Sequence, residues 1–101
     1  MPDQYFYNSQ GEFIAFRIGK YIFDSHNNWV GWLPWKDREI VDKMGDYIAT
    51  IHGDRLYVFS RRECKNHPGF IKFPGHPGYI EDPGFGGSTS IPPFAKDFKL
   101  I

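Results

Sequence analysis

Apolar and polar positions alternate in short runs from residue 5 onward, and each run is interrupted by an Asn or Asp that opens a polar stretch. The first block reads Tyr5-Phe6-Tyr7-Asn8, then Ser9-Gln10-Gly11, then Glu12-Phe13-Ile14-Ala15-Phe16. The second, Tyr21-Ile22-Phe23-Asp24 through Asn27-Asn28 to Trp29-Val30-Gly31-Trp32, aligns with it without a gap. A third, Glu39-Ile40-Val41-Asp42 through Gly45 to Tyr47-Ile48-Ala49-Thr50, keeps the Asp, the turn glycine, the aromatic-Ile pair and the small residue. A degraded fourth opens at Tyr57-Val58-Phe59-Ser60 and is read as closing at Gly69-Phe70-Ile71. Aromatics at 13, 29, 47 and 70 give spacings of 16, 18 and 23, so the last copy has the longest loop.

Each block predicts a β-hairpin, because β-branched and aromatic residues flank a loop that starts with Asn or Asp and ends in Gly or Asn. Asn8, Asp24 and Asp42 can accept a hydrogen bond from the backbone two residues on, and Gly11, Asn27 and Gly45 tolerate the positive φ that closes such a loop. The connectors Gly19-Lys20, residues 33–38 and His52-Gly53-Asp54 are short, which keeps successive strands adjacent and antiparallel. One hairpin is marginal in water, so several must bury their apolar faces together. Ala15, Gly31 and Ala49 share one register and mark where the hairpins approach closely. Residues 36–44 admit a helix as a second local reading, with Pro34 before them, Gly45 after them and Ile40, Val41 and Met44 at helical spacing. Superposition of Ile40-Val41-Asp42 on Ile22-Phe23-Asp24 favours a strand.

Composition then narrows the class. A chain of 101 residues makes one small domain, and aromatics at 19% supply the large side chains that a thin all-β core needs. Twelve basic and twelve acidic residues cancel, which gives no pull toward nucleic acid or anionic lipid. Arg55, Arg61, Arg62 and Lys65 form the densest basic run and read as a solvated hairpin edge guarded against strand pairing. The lone Cys64 leaves no intrachain disulfide, and the chain shows no secretory leader, so a cytoplasmic location is expected. The longest apolar stretch, residues 29–35, is far below the roughly 18 residues of a membrane span, so no membrane contact is expected.

From His67 the character changes. A nine-residue unit occurs twice, His67-Pro68-Gly69-Phe70-Ile71-Lys72-Phe73-Pro74-Gly75 and His76-Pro77-Gly78-Tyr79-Ile80-Glu81-Asp82-Pro83-Gly84. Proline removes ladder donors and glycine weakens strands, so this region supplies at most short strands between turns. The organisation expected is a hairpin-repeat domain over 1–73, with hairpins at about 5–18, 21–33, 39–51 and 56–73, and a Pro/Gly-rich tail over 74–101 that packs on the domain or serves as an arm.

Candidate chemistry is sparse. Cys64 and His67 place a thiol near an imidazole, but no second ligand pair accompanies them, so neither a metal nor another cofactor is expected and no catalytic residue is assigned. The glycines follow Pro or end turns and form no phosphate-cradling loop. Trp29, Trp32 and Trp35 are the candidate binding residues, since indoles on an exposed rim stack on ligands or partner side chains. Strict alternation would put Trp29 and Trp32 on opposite faces, with Trp35, in the connector, the most exposed.

With the blocks laid out, Tyr21-Ile22-Phe23-Asp24 leading to Trp29-Val30-Gly31-Trp32 resembles the small bacterial four-fold β-flower proteins, over roughly residues 4–73. The resemblance implies four short hairpins as petals about a pseudo-fourfold centre, an all-β meander closed as a ring or flower. It implies no activity and no catalytic residue. The function expected is that of a non-enzymatic scaffold or interaction module, binding a protein partner or a second copy through the petal face or the tail. The alternative is a ligand-binding or hydrolytic protein that uses the Trp29/Trp32/Trp35 cluster or Cys64 and His67.

Overall fold

Asn8, Asp24 and Asp42 each close a turn in the same way. The Oδ1 atom of each accepts the backbone N–H groups two and four residues on, at 2.8–3.1 Å. The backbone N–H of each donates to the carbonyl four residues on, and its carbonyl accepts the N–H three residues on. That last donor is Gly11, Asn27 or Gly45, with φ of 86°, 66° and 90°. One side-chain oxygen thus satisfies two loop donors that no strand pairing reaches, which is why Asx residues recur at this position.

The computed structural model describes residues 2–35, 37–60, 68–69 and 71–99. They form eight strands and no helix: β1 Gln4–Tyr7, β2 Phe13–Ile18, β3 Tyr21–Asp24, β4 Trp29–Trp32, β5 Glu39–Val41, β6 Tyr47–His52, β7 Arg55–Phe59 and β8 Ala95–Asp97. Sheet order follows chain order, with every neighbouring pair antiparallel. A parallel bridge from Tyr7 to Arg55 joins β1 to β7 and closes a seven-stranded barrel. The Tyr7 N–H donates to the Asp54 carbonyl at 2.8 Å across that seam. Residues 39–41 are strand, so the helical reading of the 36–44 segment is not adopted.

Three of the hairpins carry one extra residue at the same place. Phe6 faces Ala15 and Tyr7 faces Phe13, which leaves Ile14 over; Ile22 faces Gly31 and Phe23 faces Trp29, leaving Val30; Ile40 faces Ala49 and Val41 faces Tyr47, leaving Ile48. Each is a β-bulge, and each extra residue is a half-buried aliphatic packed on the core. The core itself is mainly aliphatic, built from Ile22, Ile40, Ile51 and Leu56 with Phe6 and Phe98. Ala15 and Ala49 are wholly buried. A side chain at Gly31 would run into the Val41 carbonyl and sit 3.0 and 3.1 Å from Ile40 and Ile48. The opposite face of the sheet is aromatic, with Phe16 and Phe23 stacked at 5.4 Å across β2 and β3.

The strand that pairs with Tyr57-Val58-Phe59 on the side away from β6 is β8, reached only after a 35-residue excursion, rather than the segment at 69–71. Gly69 and Ile71 lie outside any strand, and Phe70 is outside the described residues. Ser60 takes the place of the turn Asx, and its N–H and hydroxyl both donate to the Phe94 carbonyl, at 2.7 and 3.2 Å. Within the excursion Gly69, Gly75, Gly78 and Gly84 each follow a proline and hold φ of 85–91°, a backbone conformation that glycine adopts without strain.

Arg55 corrects an expectation. It is buried, with 8% of its surface exposed, and is no part of a solvated edge. Its Nε donates to Asp54 at 2.9 Å, Nη1 to the carbonyls of Asn8 (2.8 Å) and Gly87 (2.6 Å), and Nη2 to the Gly86 carbonyl (2.6 Å). The guanidinium also lies 5.5 Å from the Tyr7 ring centroid. A planar fork with five donors suits this task, which joins the first turn, the β6–β7 turn and the returning chain. Arg61, Arg62 and Lys65 lie outside the described residues.

Candidate functional site

The fourth pairing departs from the other three where function has room to enter. Between β7 and β8 the register runs Tyr57–Asp97, Val58–Lys96 and Phe59–Ala95 with no shift, so no bulge places an aliphatic plug there. Beside the gap lies a cavity of about 730 Å³, walled by Ile48, Val58 and Phe98. Ile91 from the excursion and Tyr47 complete the apolar part, and Lys96, Asp97 and Lys99 border it. This volume falls within the range of small-molecule sites.

Register also places Lys96. Cross-strand partners project to the same face, and Val58 packs on the core, so Lys96 starts from the core-facing side of β8. The corresponding residues of the first three hairpins are Ala15, Gly31 and Ala49, which face Phe6, Ile22 and Ile40. In the fourth hairpin a cation stands at a position otherwise held by a buried small residue.

Polar atoms around the cavity are unequally engaged. The Tyr47 hydroxyl lies 2.6 Å from Thr50 Oγ1 and accepts the Phe59 N–H at 3.2 Å. Asp97 accepts the Ser9 N–H on Oδ1 at 2.8 Å and the Ser9 hydroxyl on Oδ2 at 2.6 Å. The side chains of Lys96 and Lys99 are exposed, and their ammonium groups make no hydrogen bond or ion pair among the described residues.

The three tryptophans have separate surroundings. The bulge at Val30 shifts the parity of β4: Trp29 faces Phe23 and Trp32 faces Tyr21, so both project from the same aromatic face, contrary to strict alternation. Trp29 is half-buried; its indole N–H donates to the Gly31 carbonyl at 2.7 Å and its ring meets Phe73 at 5.7 Å. Trp32 is buried, with the Lys20 ammonium 5.9 Å from its ring centroid. It borders a second, smaller depression of about 330 Å³ together with Arg17, Lys20 and Asp37. Trp35, in the connector, is half-buried.

Cys64 and His67 lie outside the described residues. Among the described residues no group of three His, Cys, Asp or Glu side chains is placed to hold a metal ion, and no helix is long and apolar enough to cross a membrane. Among the described residues Tyr57 is the one clearly perturbed titratable group. Burial, reinforced by the Asp97 and Asp54 carboxylates and opposed by Arg55, pushes its phenol above the usual value. Its hydroxyl is buried without a hydrogen-bond partner, so it works as packing and not as an acid or base in an accessible cleft.

Comparison with protein-family models, curated proteins and solved structures finds no match to this chain. Sequence reasoning missed Ile48, Val58, Lys96 and Phe98 as a group. The available signal was negative: the fourth block has Ser60 where the others have an Asx and lacks a glycine three residues on, so its hairpin had no local closure.

Proposed function

We infer that the chain is a small non-enzymatic binding module, with hairpins set as petals about a common centre in the manner of the four-fold β-flower proteins, and with the cleft between β7 and β8 as its contact site. Support for the petal arrangement comes from the three turns with one hydrogen-bond scheme and from Ile14, Val30 and Ile48 at the same bulge. The observation that carries the binding role is the 730 Å³ cavity beside the β7–β8 pairing, which lacks the bulge that the β1–β2, β3–β4 and β5–β6 pairings share. Among the described residues that line it, none is a nucleophile with a base in reach, which favours binding over turnover. The test is a two-dimensional NMR titration of the full chain with a neutral aliphatic alcohol such as cyclohexanol. Shifts centred on Ile48, Val58 and Phe98, lost in Val58→Trp, support the reading; shifts spread evenly over the surface overturn it.

A second contact surface is favoured by the exposed aromatics of the excursion. Tyr79 and Phe85 are 88% and 75% exposed, on chain whose prolines reduce the entropy lost on docking. A protein partner or a second copy of the chain would be held there. Sedimentation of Tyr79→Ser beside the parent tests the second-copy case, which predicts less self-association for the variant.

A further inference from the structure

We propose that the cleft beside β8 binds an aliphatic monocarboxylate, with its hydrocarbon chain among Ile48, Val58 and Phe98 and its carboxylate at the ammonium groups of Lys96 and Lys99. This rests on the reading of that cleft as the contact site and adds the chemical class of what enters it.

Three observations converge. The wall is aliphatic and aromatic, from β6, β7 and the chain after β8, and burying it against a hydrocarbon chain gives the favourable transfer energy. The rim is cationic: Lys96 and Lys99 border the cavity with no partner for either ammonium among the described residues. Asp97, the one acid among the described residues that line it, already has both oxygens hydrogen-bonded to Ser9 and offers little to an incoming cation. Most telling is the register. Lys96 replaces the small residue that the other three hairpins bury, and from a core-facing position the methylene stem of a lysine can follow the apolar wall while its ammonium stays in water at the mouth. A local rule kept three times and broken once, beside a cavity, marks a site. An ammonium pair with no backbone nest or arginine fork beside it suits a singly charged carboxylate better than a planar bidentate or multiply charged anion.

The test titrates the full chain with octanoate, 1-octanol and octylamine, read by amide shifts, on the parent, Lys96→Ala and Val58→Trp. Lys96 is exposed, so Lys96→Ala leaves the fold intact and gives the fourth hairpin the alanine of its neighbours. Octanoate is expected to bind about five- to tenfold more tightly than octanol, and octylamine most weakly. In Lys96→Ala the octanoate advantage falls to about twofold or less while octanol is unchanged. In Val58→Trp all three are lost. Equal affinity for octanoate and octanol, or an advantage that survives Lys96→Ala, overturns the carboxylate assignment and leaves the cleft as a site. Failure of octanol and octanoate alike to shift Ile48, Val58 and Phe98 overturns both.

Discussion

Ser9 gives both its backbone N–H and its hydroxyl to the carboxylate of Asp97, 88 residues further along the chain, at 2.8 and 2.6 Å. This pair pins the returning strand to the first turn. Asp97→Ala is expected to lower stability by about 2 kcal/mol and Ser9→Ala by about 1 kcal/mol, since the Ser9 backbone donor persists in the second case. The two groups share one interaction, so the double variant costs about as much as Asp97→Ala alone. Urea unfolding of the four proteins checks it.

Arg55 should not tolerate lysine. A lysine ammonium cannot reach Asp54, Asn8, Gly86 and Gly87 together, and three carbonyls lose their donors. The expected loss is about 2–4 kcal/mol, or a Tm lower by about 10–20 °C for a domain of this size. Limited proteolysis should cut first near residues 84–89 in Arg55→Lys and leave the parent intact there.

Glycine positions with similar backbone separate by their surroundings. Gly11 has φ of 86°, and a Cβ there would sit 2.5 Å from Phe85 and 2.7 Å from the Gly87 carbonyl. Gly53 has φ of 66° and open space around it. Gly53→Ala is expected to cost about 1 kcal/mol, from backbone conformation alone, and Gly11→Ala about 3 kcal/mol, because the strap at 85–87 must also move. Thermal unfolding of the two variants makes the comparison.

Tyr57 sets an alkaline limit. Its phenol titrates higher in the folded chain than in the unfolded one, chiefly through burial. The folded state therefore keeps the proton longer, and stability is fully present below the unfolded value near pH 10 and is lost as pH climbs from there through the folded value. Tyr57→Phe should remove that part of the loss. At neutral pH it should leave Tm unchanged or higher by a few degrees, because it deletes a buried hydroxyl that lacks a partner. Tm measured from pH 7 to pH 11 on both proteins decides.

Legibility follows the range of the forces involved. The turns at Asn8–Gly11, Asp24–Asn27 and Asp42–Gly45 could be read because one side chain and one left-handed residue close them within five residues. The strand at residues 39–41 could be read from its register with Ile22-Phe23-Asp24. β8 could not. Its three residues carry no alternation to speak of, follow two prolines and a phenylalanine, and are held by pairing across the whole excursion. Arg55 was misread for a similar reason: a guanidinium inside a basic run looks solvated until acceptors from the neighbouring Asp54 and from two distant segments, Asn8 and Gly86-Gly87, surround it. The tryptophan faces were misread because a single extra residue, Val30, inverts the parity of a strand. The candidate cleft depends on β8 and was hidden with it.

The seam between β1 and β7 carries a topological consequence. Seven strands that turn back at every step come round with the first and last pointing the same way, so the barrel by itself would leave its chain ends at opposite poles. β8 reverses once more. The Phe98 N–H reaches the Leu56 carbonyl, and the Gln4 amide reaches the Gly53 carbonyl, so the entry of β1 and the exit of β8 arrive at the same pole, near the β6–β7 turn. That shared pole makes the β6–β7 turn the common anchor of both strands, so loosening it frees the entry of β1 and the exit of β8 together.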